Sequence, residues 1–316
     1  MPILLLTFSL SLMFLIISAN FLLKFIEKFS KRIKISPLII GATLIAIGTS
    51  LPETFVAVSS VAQNAADISY GDILGSNIAN ICLVLGLGIL LFPVRVGTEK
   101  TQRNNIIMLL TTAYFIGVLL APPEWRKTLG VFPVLFYIVF LIIEIIWGEI
   151  GRFKEDKKAL AKMPSSRGST ALYLVGILAS MGGLLISSHF LVSSVISLSK
   201  AFNISEAIIG LSIVAIGTSL PELATTIVSG IDKDWKLLYG DVQGSNIYNL
   251  SIIGAFLLTF SNTDYQISPA TLIVLSISTI SIIYLSYKYE GSHIPRYYGL
   301  GYLALYVFYI LRIYNV

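Results

Sequence analysis

Two glutamates, Glu53 and Glu222, each close the same run, Gly-Thr-Ser-Leu-Pro-Glu, inside a long apolar stretch. Around each, Ala46, Thr49, Ser50 and Glu53, and likewise Ala215, Thr218, Ser219 and Glu222, follow i, i+3, i+4, i+7 spacing, which is one face of a helix. Pro52 removes the backbone bond to the carbonyl of Gly48, and Pro221 the bond to that of Gly217. Carbonyl oxygens freed in an apolar setting need a partner, and a cation would suit them. Further on, Asp72, Ser76 and Asn80 fall four apart, as do Asp241, Ser245 and Asn249, so four polar faces can converge. The donors are carboxylate, hydroxyl, amide and carbonyl oxygens, with no thiol and no paired imidazole. Ca2+ takes roughly 6 to 8 oxygens at about 2.3 to 2.6 Å, whereas softer metals prefer Cys or His. This donor set points to Ca2+ and Na+.

Each candidate has a plainer competitor. A buried carboxylate can be neutral or paired to hold helices together, although acids within a membrane are costly and usually functional. The Thr-Ser pairs can cap the backbone at the proline break, and both roles can hold at once. Asp72 and Asp241 each follow a glycine at the expected start of a helix, where an acid caps exposed N–H groups; the other reading makes them mouth residues that attract cations at the two entrances. Asn20 and His189 are repeat partners, and His189 reads as a packing residue or a proton-sensitive gate. Glu144, Glu149 and the stretch from Arg152 to Lys158 mark a water interface.

The elements that must position these residues are membrane helices. The 316 residues are 55% hydrophobic and 12% charged, against roughly 25% charge in a soluble domain. About 20 apolar residues cross the hydrocarbon core, and ten such runs can be drawn, near 2–23, 36–61, 71–92, 104–121, 129–147, 169–192, 205–230, 240–260, 268–287 and 297–314. The first is followed, not preceded, by Lys24, Lys28, Lys31 and Arg32, so it reads as a retained helix rather than a cleaved leader. The single cysteine, Cys82, excludes an intrachain disulfide framework and reads as packing.

The chain repeats itself. Gly41 to Glu53 recurs as Gly210 to Glu222 with 9 of 13 positions identical, and Gly71 to Ile81 recurs as Gly240 to Leu250, both at an offset of 169. Two separated blocks with one offset make residues 1–147 and 169–316 duplicates, with 148–168 as the linker loop. Five helices per half is odd, so the second half enters from the opposite face. The fold expected is an all-α integral membrane protein, ten helices as two inverted five-helix repeats, with its site near the midplane where the repeats meet.

Of the 22 Lys and Arg, 18 lie in the loops after helices 1, 3, 5, 7 and 9. Positive residues stay cytoplasmic in short loops, which places both termini outside and the linker inside. The net charge of +5 is thereby explained by topology, and nucleic acid is not called for. No nucleophile and base pair suggests an enzyme, and no cofactor is expected. The partners are the bilayer and inorganic cations. A cation channel would use the same acids as a conduction ring, but proline-broken inverted repeats argue for a transporter.

Gly-Thr-Ser-Leu-Pro-Glu with Gly-Asp-x-x-Gly-Ser-Asn-Ile, twice, resembles the sodium/calcium exchangers of the Ca2+/cation antiporter superfamily, in their α1 and α2 repeats. The resemblance implies ten helices, with helices 2, 3, 7 and 8 around four cation sites and helices 1 and 6 sliding across them to alternate access. It also implies Glu53 and Glu222 as central carboxylates shared by Ca2+ and Na+. Thr49, Thr218 and the carbonyls of Ala46 and Ala215 would complete the sites with Ser50, Ser219, Ser76 and Ser245, and Asn80 and Asn249 would line the middle. The sequence departs from the family where some members carry an acid at the position of Asn249, where Asp72 and Asp241 often are Asn, and where Asn20 and His189 often are acids. The expected activity is exchange of Ca2+ for Na+, with Ca2+/H+ or other divalent antiport as the alternative.

Overall fold

A computed structural model describes residues 2–32, 47–96, 99–143 and 169–314. The linker expected at 148–168, Ala46, Glu144, Glu149 and the charged stretch after them lie outside these residues. Among the described residues ten helices follow one another: α1 (Pro2–Arg32), α2 (Leu51–Ala62), α3 (Ala66–Leu91), α4 (Glu99–Leu120), α5 (Pro123–Ile143), α6 (Thr170–Phe202), α7 (Glu206–Ile231), α8 (residues 235–260), α9 (Pro269–Lys288) and α10 (Arg296–Ile313). Seven of them are long and apolar enough to cross a bilayer on length and composition. The outer faces of the ten helices include exposed Phe14 on α1, Ile186 on α6, Ile280 on α9 and Val307 on α10, a surface that suits hydrocarbon rather than water.

Several helices start or stop away from their expected bounds. α1 continues to Arg32 and α6 to Phe202, because a hydropathy criterion registers only the apolar part of a helix and both carry polar last turns. α3 begins at Ala66 and α8 at Trp235, each five residues before the glycine expected to open it. At the start of α8 the Asp234 side chain accepts from the Leu237 N–H at 3.0 Å, an N-cap. Asp72 and Asp241 are therefore second-turn residues and not caps.

The duplication is visible in the backbone. The α2–α3 and α7–α8 connections close with the same bonds: Ala65 N–H donates to the Ser60 carbonyl, and Asp234 N–H to that of Ser229, both at 2.8 Å. Among the described residues three short π-helical segments interrupt the α-helices, at Asn80–Leu85 in α3, Gly210–Val214 in α7 and Asn249–Ile253 in α8. The first and third start at repeat partners. Such insertions concentrate at functional sites, and periodicity gives no hint of them.

Glycines bring α3 and α7 into backbone contact. A Cβ at Gly71 would collide with the Ala207 carbonyl oxygen, one at Gly210 with the Ile68 carbonyl oxygen, and one at Gly75 would lie 2.5 Å from the Leu211 carbonyl oxygen. Small residues permit such close crossings between membrane helices. The apolar interior divides in two. One cluster joins α3 and α8 with α4, α9 and α10; the other holds Leu15, Ala19 and Leu22 of α1 and Leu184, Leu191 and Val195 of α6 against Val56 and Val214. α1 and α6 thus pack along one another as a separate layer over the core. Cys82 is buried in the larger cluster.

Candidate cation site

The breaks expected at Pro52 and Pro221 are present. Helical geometry lapses at Ser50 (φ −87°, ψ 12°) and Ser219 (φ −81°, ψ 5°), and each proline then sits in the first turn of a new helix with the glutamate beside it. Proline is tolerated there because its missing N–H is unpaired anyway, and a carboxylate there is favoured by the helix dipole. The Ser50 carbonyl accepts from the Thr54 N–H at 3.2 Å and from the Thr54 hydroxyl at 2.9 Å, and that hydroxyl meets the Tyr248 hydroxyl at 3.2 Å.

All the described site candidates are at most 3% exposed. The structure brings α2, α3, α7 and α8 together through them. Ser50 Oγ donates across the repeats to Glu222 Oε1 at 3.5 Å, a long bond. Thr49 Oγ1 meets Ser245 Oγ at 3.1 Å, and the repeat partners Thr218 and Ser76 meet at 3.3 Å. Asn80 Nδ2 donates to Asn246 Oδ1 at 3.0 Å, and Asn246 Nδ2 to the Asn77 carbonyl at 3.1 Å. Ala215 is fully buried just before the break in α7, its carbonyl accepting from the Ser219 N–H at 3.1 Å.

Asp72 and Asp241 are not at the mouths. Both are buried in the centre, Asp72 Oδ1 accepting from Thr218 Oγ1 at 2.9 Å and Asp241 Oδ1 from Thr49 Oγ1 at 3.1 Å. The mouth reading assumed helix ends at Gly71 and Gly240; the helices begin a turn earlier, which carries the aspartates inward. His189 and Asn20 lie on exposed faces of α6 and α1. His189 meets the Phe190 ring edge-on, while Asn20 donates to the Ile16 carbonyl at 3.0 Å; neither joins the central cluster.

Oxygens without protein partners remain at the centre: both of Glu53, Glu222 Oε2, Asp72 Oδ2, Asp241 Oδ2, Ser219 Oγ, Asn80 Oδ1 and Asn249 Oδ1. Groups this buried are ordinarily satisfied. No basic side chain pairs with these carboxylates among the described residues; the ion pair the structure does describe, Arg126 with Asp264 at 2.5 Å, belongs to α5 and the loop before α9. Nor do three carboxylate, imidazole or thiol side chains close on one point among the described residues. A bound cation would therefore draw on one or two carboxylates with hydroxyl, amide and carbonyl oxygens, a mixture that suits a hard ion. The sequence reading missed Asn77 and Asn246, which bridge α3 and α8. They lie inside the repeated Gly-Ser-Asn block but off the Asp-Ser-Asn face.

A model of the sodium/calcium exchanger protein family matches residues 3–146 and again residues 172–315. The chain belongs to the sodium/calcium exchanger family. Among relatives, the sodium/calcium exchanger MaX1 of Methanosarcina acetivorans is 27% identical, with 97% of each chain covered. The membrane protein MJ0091 of Methanocaldococcus jannaschii is 31% identical over 89% of this chain and 88% of its own. Among solved structures, the sodium-calcium exchanger NCX_Mj soaked with Na+ and no Ca2+ superposes with a TM-score of 0.67 at 29% identity, covering 98% of this chain and 99% of that one. This exchanger fold is the one expected of two inverted five-helix repeats, and the family is one of transporters.

Proposed function

We propose that this chain exchanges Ca2+ for Na+ across a cell membrane by alternating access, at the cluster centred on Glu53 and Glu222. One observation carries the reading: two fully buried glutamates, one from each repeat, retain unpartnered carboxylate oxygens with no basic partner among the described residues. Ionised and empty, such a pair is costly to seal in a low dielectric. Loaded with cations it is not, so the cluster can be closed over and re-exposed only when charged with ions. Ca2+ and Na+ compete for the same oxygens, and exchange follows from that competition.

In this reading Thr49, Thr218, Ser50, Ser219, Ser76 and Ser245 supply hydroxyl oxygens, the Ala215 carbonyl a backbone oxygen, and Asn80 and Asn249 amide oxygens. The Ala46 carbonyl is assigned by its repeat relation to Ala215. The repeats are residues 1–147 and 169–316, joined by 148–168. The separate apolar layer of α1 and α6 over the core suits a pair that slides across the site. The 18 basic residues in the last turns of the odd-numbered helices, the loops that follow and the first turns of the next helices support an orientation with both termini outside and the linker in the cytoplasm.

The test is uptake of radioactive Ca2+ into Na+-loaded proteoliposomes with and without an outward Na+ gradient. Uptake that requires the gradient is expected. Uptake driven by a pH gradient alone would move the assignment to Ca2+/H+ antiport, and absence of Ca2+ flux under either gradient would refute the substrate.

A further inference from the structure

Asp72 and Asp241 stand behind two of the proposed ion ligands. Thr218 Oγ1 has one proton and four acceptors in reach: Asp72 Oδ1 at 2.9 Å, the Val214 carbonyl at 3.1 Å, Ser76 Oγ at 3.3 Å and the Ala215 carbonyl at 3.4 Å. Left to its own helix, a threonine hydroxyl donates back to the carbonyl four residues earlier. The carboxyl oxygen of the opposite element lies closer than any of the others, at an ordinary hydroxyl bond length, so the proton goes to it. Once the proton points at Asp72, both lone pairs of Thr218 Oγ1 are turned away from it, and the Ala215 carbonyl is spared the hydroxyl.

The same arrangement recurs by the repeat. Thr49 Oγ1 donates to Asp241 Oδ1 at 3.1 Å, and its neighbour Ser245 stands to it as Ser76 stands to Thr218. A hydroxyl that meets a cation must offer lone pairs, so its proton has to be taken elsewhere. We infer that Asp72 and Asp241 are positioning residues that take the hydroxyl protons of Thr218 and Thr49 across the repeat boundary, orienting both oxygens for Ca2+. The role needs a carbonyl-type oxygen at Oδ1, not a charge. It rests on the exchange reading above, and it ties the affinity of each half of the site to a residue of the other half.

The experiment measures equilibrium binding of radioactive Ca2+ to purified protein in detergent, alongside Na+-driven flux, for wild type, Asp72→Ala, Asp72→Asn, Thr218→Val and the double variant Asp72→Ala with Thr218→Val. Asp72→Ala is expected to weaken Ca2+ binding about tenfold, the size of one lost hydrogen bond of this kind. Asp72→Asn, which retains an acceptor oxygen, is expected to recover binding to within about threefold. Adding Asp72→Ala to Thr218→Val is expected to cost less than about twofold more, because the interaction it removes is already gone; the weak contact from Ser76 at 3.4 Å accounts for that remainder. Asp241 and Thr49 are expected to behave alike.

If Asp72→Asn binds as weakly as Asp72→Ala, the charge itself holds the ion and positioning is overturned. Additive losses in the double variant overturn it as well, as does unchanged binding in Asp72→Ala. Failure of wild type to bind or transport Ca2+ instead overturns the exchange reading, and this inference with it. Should the alanine variant fail to fold, the asparagine variant still decides: binding weakened tenfold or more there refutes positioning, and binding within threefold supports it.

Discussion

Lys233 and Asn64 occupy equivalent places 169 residues apart, both with left-handed backbone, φ 58° at Lys233 and 54° at Asn64. Asparagine tolerates that conformation through local hydrogen bonding; a lysine pays the steric penalty of its Cβ. The turn is kept because the flanking bonds are kept: Lys233 N–H to the Gly230 carbonyl at 3.3 Å, and Asn64 N–H to the Val61 carbonyl at 3.1 Å. Lys233→Asn should therefore stabilise the fold by about 0.5–1 kcal/mol. A rise in thermal midpoint of detergent-solubilised protein is the expected readout, with Asn64→Lys lowering it.

At the α3–α7 crossing the expectation has the opposite sign. Gly75→Ala would place a Cβ 2.5 Å from the Leu211 carbonyl oxygen, against backbone that cannot yield without moving a helix. Overpacking of this kind costs about 1–3 kcal/mol. Gly182→Ala on α6 meets nothing within 4 Å and should be neutral or slightly stabilising by helix propensity. Thermal unfolding of the two variants side by side tests the pair; equal stability would mean that the crossing has room to spare.

Removing either central carboxylate should separate function from folding. Glu53→Gln and Glu222→Gln keep the side-chain shape and take away a buried carboxyl that has no basic partner among the described residues, so the folded protein should remain monodisperse in detergent. Loss of a charged ligand from a hard-cation site should lower Na+-driven Ca2+ uptake by at least about a hundredfold, a change of roughly 2.7 kcal/mol. Variants that transport within a factor of a few of wild type would show that Ca2+ is held elsewhere.

How much of this was legible in the sequence follows from which interactions are local. Ten apolar runs and the offset of 169 are one-dimensional facts, and they predict the helices and the inverted pairing without reference to contacts. The Glu53 and Glu222 faces are read from i, i+3, i+4, i+7 spacing because they lie on one helix each. Asp72 and Asp241 are misplaced at helix ends by the same procedure. Their partners, Thr218 and Thr49, belong to the opposite repeat; Ala65 before α3 offers no capping side chain, and although Asp234 caps α8, the polar residues around it mask the helix start from a reading by apolar runs. The π-helical segments are illegible for a related reason: one extra residue in a turn leaves the pattern almost unchanged when apolar residues cover every face of the helix, as they do in and around these segments.

The repeats also diverge in a way that can be tested. Gln243 replaces Leu74 of the first repeat, and its Nε2 donates to the Thr101 carbonyl at 2.9 Å and to Asn105 Oδ1 at 2.6 Å, while Asn105 Nδ2 donates to Ser286 at 2.8 Å. This buried chain ties α8 to α4 and α9, on the side of α8 away from Thr49. Gln243→Leu, which restores the residue of the first repeat, removes the donor to a buried amide oxygen, and an acceptor stranded in this way costs about 1–3 kcal/mol. Replacing Asn105 by Leu in the same protein removes the stranded acceptor as well, so the double variant should regain part of the lost stability although it has fewer polar contacts. Thermal unfolding of wild type, both single variants and the double variant gives the coupling directly. Strictly additive losses would mean that Gln243 and Asn105 act independently and that the tether contributes no joint stability.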